Sequence, residues 1–372
     1  MISVVIGVPE AAMIEYFEEL RARAGANVFL HPAALCAAAA LGFAHIHVLM
    51  AWLEGATSRK LVGFWALRER RVAPFWRYLA TPPYEYAFVA SPVIDPQHRD
   101  AVWTAFLDAI ARAPSLPKVV KLKLLDAEAD RPMLAALAAR GGPLLKLSER
   151  ARPFLSGPDE RKRSGSTGKK LRQDWNRLSA LGAVDIANTR DAQAAREAFE
   201  VFLDMEQRSW KGASGTALLS HDEDAAFTRA LIAELSARDG ASVALLRVDE
   251  KPIAAQVLLY SGRTAYTWKT AFDAEFAKYS PGALLIDRVS DELFASGIAE
   301  IESCSSDGGF MENLWAGRRT TVDLLVDLGA RKSLGFAALA LGEHARVAAR
   351  GLRNRWRALN APRRKTLVAT RG

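Results

Sequence analysis

The stretch Thr264–Asp291 constrains the fold of this chain most, because a strand-like segment, a polar connection and a helical pattern follow one another within it. Thr264–Thr270 is rich in β-branched and aromatic residues, which favours a β-strand. Apolar residues recur at helical spacing through Ala283–Leu293, which predicts an amphipathic helix. The sequence therefore predicts a strand that delivers the chain to the start of a helix.

The residues at this predicted helix start favour a ligand-binding turn. Ser280 is a good N-cap, Pro281 suits the first helical turn, and Gly282 allows a ligand or another chain to approach the backbone. A helix N-terminus presents unpaired N–H groups and a positive dipole end, so it can receive a pyrophosphate. The alternative is an ordinary capped helix without a ligand.

Two motifs carry a resemblance to a known family. Tyr279–Leu285 reads YSPGALL, and Ser209–Gly212 reads SWKG after the predicted amphipathic helix Ala192–Glu206. In this order they resemble GNAT-type acyltransferases, and more closely the FemAB-like and CelD-like branch that includes cellulose-biosynthesis acetyltransferase-like proteins. In that branch the YSPG run stands where other GNAT proteins carry a Gly-rich phosphate loop. The resemblance covers residues 155–334 best and the N-terminal part loosely.

The resemblance implies an α/β (α+β) fold of tandem GNAT-like domains, with mixed, mostly antiparallel sheets flanked by helices. We expect a degenerate GNAT-like domain over residues 1–155, a catalytic one over 156–338, and a basic C-terminal helix and tail over 339–372. The first boundary is placed at the Gly/Ser-rich, basic segment Ser156–Lys170, which predicts a mobile surface loop. The N-terminal part shows no phosphate-binding turn, and an α/β domain of another type is its alternative.

Local patterns predict most elements individually. Ala33–Leu53 contains no charged residue, but it divides into an Ala-rich helix and an alternating strand, so we interpret it as soluble structure and not as a membrane span. Further segments are predicted as strands, namely Leu61–Arg68, Tyr84–Ala90, Val119–Leu125, Val184–Ala187, Ser242–Val248, Ile253–Tyr260, Ala299–Glu302 and Thr321–Leu325. Trp210–Gly212 is predicted as a loop.

The resemblance also implies the chemistry, which is direct attack of an amine on a thioester without a covalent enzyme intermediate. The thioester carbonyl would be held by a bulged strand, here Ala265–Thr270. The cofactor-binding residues implied are Trp268, Lys269, Tyr279, Ser280, Pro281, Gly282 and Ala283. Lys269 is unusual in an apolar strand; it could pair with Glu302 or Asp307, meet a cofactor phosphate, or be an ordinary edge-strand residue.

An aliphatic amine has a pKa near ~10, so a general base would help the acceptor to lose its proton at neutral pH. The candidate bases are Glu206, His221, Glu302, Asp307 and Glu312. The candidate acceptor-side residues are Trp210, Lys211 and Glu312. A solvated helix terminus is the alternative role for Glu206.

The segment Glu302–Asn313 departs from the family pattern. Many relatives read Asp-Phe-x-x-Gly there, followed by a Tyr-Lys pair, whereas this chain reads ESCSSDGGFMEN. The departure suggests an acceptor different from the sugar assumed for relatives. Cys304 has no His nearby in sequence, and a free Cys is usually a buried small hydrophobe, so we do not expect it to be a nucleophile.

Composition and charge limit compartment and partners. The chain has 372 residues, a formal charge of +8 and two Cys, so no disulfide framework or metal-ligand cluster is expected and the cytoplasm is the natural compartment. From Arg346 to Arg371 there are nine Arg or Lys and no acid, which suits an anionic inner-membrane surface or simply a solubilising end. Five aromatic residues could line an apolar cleft or belong to the core: Trp210, Trp268, Phe272, Phe276 and Trp315.

The leading hypothesis is therefore an N-acyltransferase. It would move an acyl group from a CoA or acyl-carrier-protein thioester to the amine of a lipid, for example a sphingoid-type base, or of an envelope sugar, with no metal. One alternative is a FemAB-like transferase that uses aminoacyl-tRNA, although the basic residues form no recognisable RNA module and a nucleic-acid partner is not expected. The other is a non-catalytic partner in exopolysaccharide synthesis.

Overall fold

The computed structural model describes residues 1–55, 58–73, 76–162, 165–305, 309–329 and 331–359. The described residues form one mixed sheet of thirteen strands with helices packed on it. The strands are β1 (Ile2–Gly7), β2 (Ile46–Glu54), β3 (Arg59–Ala73), β4 (Trp76–Ala80), β5 (Val93–Ile94), β6 (Val119–Asp126), β7 (Leu144–Leu155), β8 (Val184–Ala187), β9 (Ala241–Val248), β10 (Lys251–Ser261), β11 (Thr264–Phe272), β12 (Glu300–Glu302) and β13 (Arg318–Asp327).

Helices connect these strands and cover the sheet. They are α1 (Met13–Arg21), α2 (Pro32–Ala40), α3 (Arg99–Arg112), α4 (Arg131–Arg140), α5 (Gly165–Ser179), α6 (Ala192–Gln207), α7 (Trp210–Ala213), α8 (Asp222–Ser236), α9 (Pro281–Ala295), α10 (Met311–Leu314) and α11 (Leu334–Leu359). None of the helices in the described ranges combines the length and the apolar character that a membrane crossing requires.

The same strand order occurs twice in the sheet. β1 to β4 form an antiparallel run that ends in a parallel pairing of β4 with β6, and α3 lies between those two strands in sequence. β8 to β11 form an antiparallel run that ends in a parallel pairing of β11 with β12, and α9 lies between them. This repetition confirms the predicted fold class of tandem GNAT-like units.

The two units are joined through β7 and β13. β13 comes late in the chain, yet it pairs on one side with β6 and on the other with β7, both from the N-terminal half. The end of β7 then pairs with β12 at Leu155 and Ile301. The boundary at residue 155 stays a prediction, and the last strand of the predicted catalytic domain is shared with its neighbour.

The largest apolar core also includes residues of both halves. Phe29 and Trp65 from the first half belong to the same buried cluster as Phe227 and Trp268 from the second. A separate core surrounds α9 and contains Trp315. The largest core thus fixes the N-terminal segments against the face of the second unit.

Most local predictions are confirmed, but Tyr84–Ala90 is not a strand. The segment is apolar because it is buried, and its backbone oxygens accept hydrogen bonds from side chains and not from a neighbouring strand. Trp268 Nε1 donates to the Tyr86 oxygen at 2.9 Å, and Arg152 Nη1 donates to the Phe88 oxygen at 2.7 Å. Burial without strand pairing has the same local sequence signal as a buried strand, which explains the error.

The prediction for the basic segment 156–170 missed the helix that begins within it. α5 begins at Gly165, inside the segment for which we predicted a mobile surface loop. Arg161 is buried, its guanidinium group pairs with Asp291, and its Nη1 donates to the backbone oxygen of Asp287 at 3.1 Å. The segment is therefore anchored to α9.

Candidate active site

The SWKG motif folds into the short helix α7 and not into the predicted loop. Ser209 precedes this helix, and its Oγ accepts a hydrogen bond from Lys211 N at 3.2 Å. A Cβ on Gly212 would lie 1.8 Å from the backbone oxygen of Gln207, so only glycine allows this close approach. The motif thereby turns the chain sharply at the end of α6.

This turn brings Lys211 back onto Glu206. Lys211 Nζ lies 2.8 Å from Glu206 Oε1, and the other carboxylate oxygen accepts from Leu218 N at 2.9 Å. Lys211 Nζ also donates to the backbone oxygen of Thr270 at 3.3 Å. Glu206 is 1% exposed. Its buried carboxylate therefore links the end of α6 to the backbone at Leu218 and, through Lys211, to β11.

The neighbouring strand β11 carries a bulge at the predicted position. Leu258 pairs with Thr267 and Val257 with Lys269, which leaves Trp268 without a partner residue on β10. The adjacent Thr270 Oγ1 donates to the buried Gln256 at 2.5 Å. A bulge breaks the regular ladder and re-aims the strand, so backbone groups become available at this point.

The parallel pairing of β11 with β12 is short. It covers Thr264 to Tyr266 against Glu300 to Glu302. Thr267 Oγ1 then donates to the backbone oxygens of Glu302 and Ser303 at 3.2 and 3.0 Å. The bulge at Trp268 lies two residues past the last paired residue, Tyr266.

Lys269 points from the bulge toward the N-terminal half. Its Nζ lies 4.8 Å from the ring centroid of Tyr86 and 5.7 Å from that of Trp268. Burial lowers the pKa of Lys269 to about 8, although the nearby Glu206 carboxylate opposes the change. The ammonium group thus titrates close to neutral pH. Lys269 therefore contacts the ring of Tyr86, and it forms no ion pair with Glu302, which is one of the two carboxylates considered as its partner.

The start of α9 lies after β11, as predicted, but Ser280 does not cap it. Ser280 adopts a left-handed conformation with φ of 53° and makes no side-chain cap hydrogen bond. Its Oγ instead accepts from Lys170 Nζ at 2.9 Å. Pro281 and Gly282 form the first buried turn, and Ala283 N donates to the Ser280 oxygen at 3.0 Å.

Further cations surround this helix start. Arg177 of α5 lies over the Tyr279 ring at 5.2 Å, and Lys278 lies over the same ring at 5.0 Å. With Lys170 they place three positive side chains around an uncapped helix N-terminus. This arrangement fits a diphosphate group, because helix N–H donors and cations act together on phosphate oxygens.

Glu302, another candidate base, lies in a buried ion-pair network. Glu302 is fully buried, with Arg152 Nε at 2.9 Å and Arg319 Nη1 at 3.5 Å from its oxygens. Glu312 lies in α10, where its backbone oxygen accepts from Lys162 Nζ at 2.7 Å. Asp307 lies outside the described residues.

Of the two roles considered for the aromatic residues, the buried core applies to Trp268 and Trp315. Trp268 and Trp315 belong to two different buried cores, and Phe276 packs against the second. Trp210 is 70% exposed. Cys304 is buried, and burial raises the pKa of its thiol well above the usual value. His221 is exposed at the start of α8.

Sequence reasoning missed Tyr86 and Asp224. Tyr86 comes from the segment predicted as a strand, and Asp224 lies in the first turn of α8. Burial and the Asp224 carboxylate both raise the pKa of the Tyr86 phenol. No local pattern marks these two residues, because they reach Lys269 only through the packing of the two halves.

Comparison with known proteins agrees with this geometry. Residues 165–310 match the family model described as an acetyltransferase (GNAT) domain. The C-terminal domain of a putative lysylphosphatidylglycerol synthetase from Agrobacterium fabrum is similar in structure, with a TM-score of 0.54 and 16% identity over 90% of this chain and 96% of that one. A search among curated proteins found no match.

Two further solved structures share the fold. FemX has a TM-score of 0.57 and 11% identity over 83% of this chain and 95% of its own. L-PGS from Bacillus licheniformis has a TM-score of 0.50 and 14% identity over 91% and 97% of the two chains. Residues 165–310 are therefore a GNAT-type acyltransferase domain. The whole fold is that of the FemAB-like branch, which confirms the resemblance carried by the two motifs.

Proposed function

We propose that this protein is an N-acyltransferase that moves an acyl group from a CoA or acyl-carrier-protein thioester to an amine. One observation carries the proposal: the bulge at Trp268 leads directly to an uncapped helix start whose Ser280 is held by Lys170. A bulged strand and a helix N-terminus are the two parts needed to hold a thioester carbonyl and a diphosphate.

The residues of the donor side have separate tasks. Lys170, Arg177 and Lys278 attract the diphosphate to the start of α9. Gly282 keeps that turn open, since a Cβ there would already touch Thr270 Cγ2 at 3.4 Å. When bound, the thioester supplies the activated acyl group, and the backbone around Trp268 orients its carbonyl.

We assign the removal of the acceptor proton to Lys269. Its pKa of about 8 leaves part of the population neutral at physiological pH, so the amine can accept a proton from the attacking nucleophile. Glu206 was our candidate from the sequence, but both of its oxygens are engaged. Its proposed role is to position Lys211 beside β11.

We propose a lipid amine or an envelope sugar as the acceptor. Two of the similar structures are named as lysylphosphatidylglycerol synthetase and L-PGS, and the first name describes a product that is a modified lipid. In α11, Leu341 and Val347 are 72% and 58% exposed beside the exposed Arg346. Apolar residues next to arginine suit peripheral contact with an anionic membrane.

The direct test is a binding titration of the full chain with CoA, acetyl-CoA, palmitoyl-CoA and a loaded acyl carrier protein. We expect saturable binding of at least one thioester, followed by transfer to an amine acceptor detected by mass spectrometry. Tight binding of palmitoyl-CoA alone would direct the acceptor search to amino lipids. Absence of binding by all four would overturn the proposal.

The second candidate is transfer from aminoacyl-tRNA. It is supported by the similarity to FemX over 83% of the chain and by the net charge of +8, since basic proteins attract the phosphate backbone. Incubation with charged tRNA and a lipid extract would separate this candidate from the first. Inactivity with both donor types would leave the role of a non-catalytic partner in exopolysaccharide synthesis.

A further inference from the structure

A cavity of about 220 Å³ lies between the two halves, away from the start of α9. Its walls come from the N-terminal half at Arg99, Trp103, Asp130 and Arg152, and from the second half at Glu302 and Arg319. At about 30 Å³ for each water, this volume corresponds to about seven waters. A small organic molecule therefore fits.

Most charges in the wall neutralise each other. Glu302 is paired with Arg152 and Arg319, as described above. The Nε of Arg319 lies 3.2 Å from Asp126, and its Nη2 lies 3.2 Å from Glu300. This network needs no ligand, and it forms a polar wall.

Three groups in the same wall lack either an ion-pair partner or a hydrogen-bond partner within the described part of the chain. Asp130 is 4% exposed and accepts from Ser91 Oγ at 2.5 Å, but no cationic side chain lies within ion-pair distance of it among those residues. Trp103 is fully buried, and its indole N–H has no hydrogen-bond partner there. Arg99 lines the same wall and its charge lowers the pKa of Asp130, but no ion pair within 4.0 Å joins it to any described residue.

Of these three groups, Trp103 and Asp130 are buried and therefore costly to leave without a full set of partners, whereas Arg99 is half-buried. A buried indole N–H or carboxyl without its partner loses free energy relative to water. Burial raises the pKa of Asp130 to about 7, and the nearby Asp126 carboxylate adds to the rise, although the Ser91 hydrogen bond and the Arg99 charge oppose it. The cavity therefore offers one acceptor for a cation and two donors for an anion, within one small space.

We propose that this cavity binds a small zwitterionic amino compound of the α-amino acid class. Its ammonium group is received by Asp130, and its carboxylate by Arg99 and the Trp103 N–H. A simple amine would leave Arg99 and Trp103 unmatched, and a simple anion would leave Asp130 unmatched beside Asp126. The proposed site is separate from the thioester site and goes beyond the proposed transferase activity.

The test is calorimetric titration of the full chain with glycine, L-serine, methylamine and acetate. Methylamine and acetate each carry one charged group of glycine, so they test recognition of the ammonium group and of the carboxylate separately. We expect glycine or L-serine to bind saturably, and the two fragments to bind at least about tenfold more weakly, as the loss of a charge-assisted hydrogen bond predicts.

Two variants and one control locate the binding. Asp130→Asn keeps the shape of the side chain, and Trp103→Phe keeps an aromatic ring but removes the indole N–H. Each should weaken binding of the amino acid about tenfold or more. Asp108→Asn makes the same charge change elsewhere in the N-terminal half, where Asp108 pairs with Arg112 and Arg140, and it should bind like the wild type. If Asp130→Asn fails to fold by circular dichroism, Trp103→Phe carries the test.

Three results would overturn the inference: no binding of either amino acid, binding that both variants leave unchanged, or methylamine binding as tightly as glycine. CoA is titrated onto the same variants as a second readout. We expect its affinity to stay at the wild-type value. If CoA binds and the amino acids do not, the amino-acid site is contradicted and the thioester site is not. If the amino acids bind and CoA does not, the reverse holds.

Discussion

Lys269 Nζ lies 4.8 Å from the ring centroid of Tyr86, and this contact joins the two halves of the molecule at the candidate active site. The lysine comes from the bulged strand of the second unit, and the tyrosine from a buried irregular segment of the first. A cation over an aromatic face is stabilised electrostatically, but burial favours the neutral amine. The contact therefore places a titratable amine between the two halves.

Substitution of Lys269 should change both the rate and its pH dependence. With a pKa of about 8, the neutral amine becomes more abundant as the pH rises through 8, so transfer by the wild type should increase from pH 7 to 9. Lys269→Met should lower kcat by about 100-fold or more, since general base catalysis contributes at least that factor. Lys269→Arg keeps the charge but cannot release a proton, so it should also be slow.

The control for this prediction is Lys251→Met, a lysine 56% exposed that pairs with Asp273. It should keep the wild-type rate and pH profile. A Lys269→Met enzyme that retains the rise between pH 7 and 9 would remove Lys269 from the proton transfer.

Two substitutions at Gly282 should distinguish a loss of CoA binding from a loss of protein stability. A Cβ there would meet Thr270 Cγ2 at 3.4 Å and Phe272 Cδ1 at 3.6 Å, which are ordinary contacts, so Gly282→Ala should bind CoA within about threefold of the wild type. Gly282→Trp should abolish CoA binding, because the indole fills the turn at the start of α9. Unfolding curves are measured on both. Equal CoA affinity of the two variants would contradict a phosphate site at this turn.

Replacement of Glu206 should act mainly on stability. Its buried carboxylate pairs with Lys211 and accepts from Leu218 N, so Glu206→Ala should lower the free energy of unfolding by about 3 kcal/mol, as for a broken buried ion pair. Urea denaturation measures the change, and the exposed Glu234→Ala serves as its control. A variant of normal stability that has lost transfer activity would restore Glu206 as a catalytic base.

Asp130→Asn should alter the pH dependence of stability. The folded pKa of about 7 lies above the reference value of 3.8, so the unfolded chain loses this proton first as the pH rises. Stability of the wild type should therefore fall by about 3 kcal/mol between pH 5 and 8 through this one group. The asparagine variant lacks this loss, so its stability relative to the wild type should increase over the same range. Parallel unfolding curves at pH 5 and pH 8 check this, and a constant difference would contradict it.

Local sequence patterns predicted much of the second unit correctly. The helix α6 covers the predicted Ala192–Glu206 and one residue more, and the strand β11 contains the predicted Thr264–Thr270. These elements are recognisable because their periodicity and turn residues agree within a short window. The motif SWKG was also informative, because the helix cap at Ser209 and the close backbone approach at Gly212 both involve residues near in sequence.

Non-local contacts explain the errors. Ser280 stands at the predicted helix start, but Lys170, 110 residues earlier in the chain, holds its hydroxyl group. Trp315 and Trp268 are both aromatic and near the site in sequence, yet they pack into different cores. Sequence spacing could not distinguish a shared cleft from two separate cores.

The sequence by itself determined the strand, the turn and the helix that define the GNAT-type site, because each depends on residues within one or two turns of chain. Only the tertiary structure decided that Tyr86 faces Lys269, that β13 lies between β6 and β7, and that Asp130 and Trp103 share a cavity. Those relationships depend on how buried surfaces of distant segments fit together, and burial changes both the pKa of a side chain and the partners that it can reach.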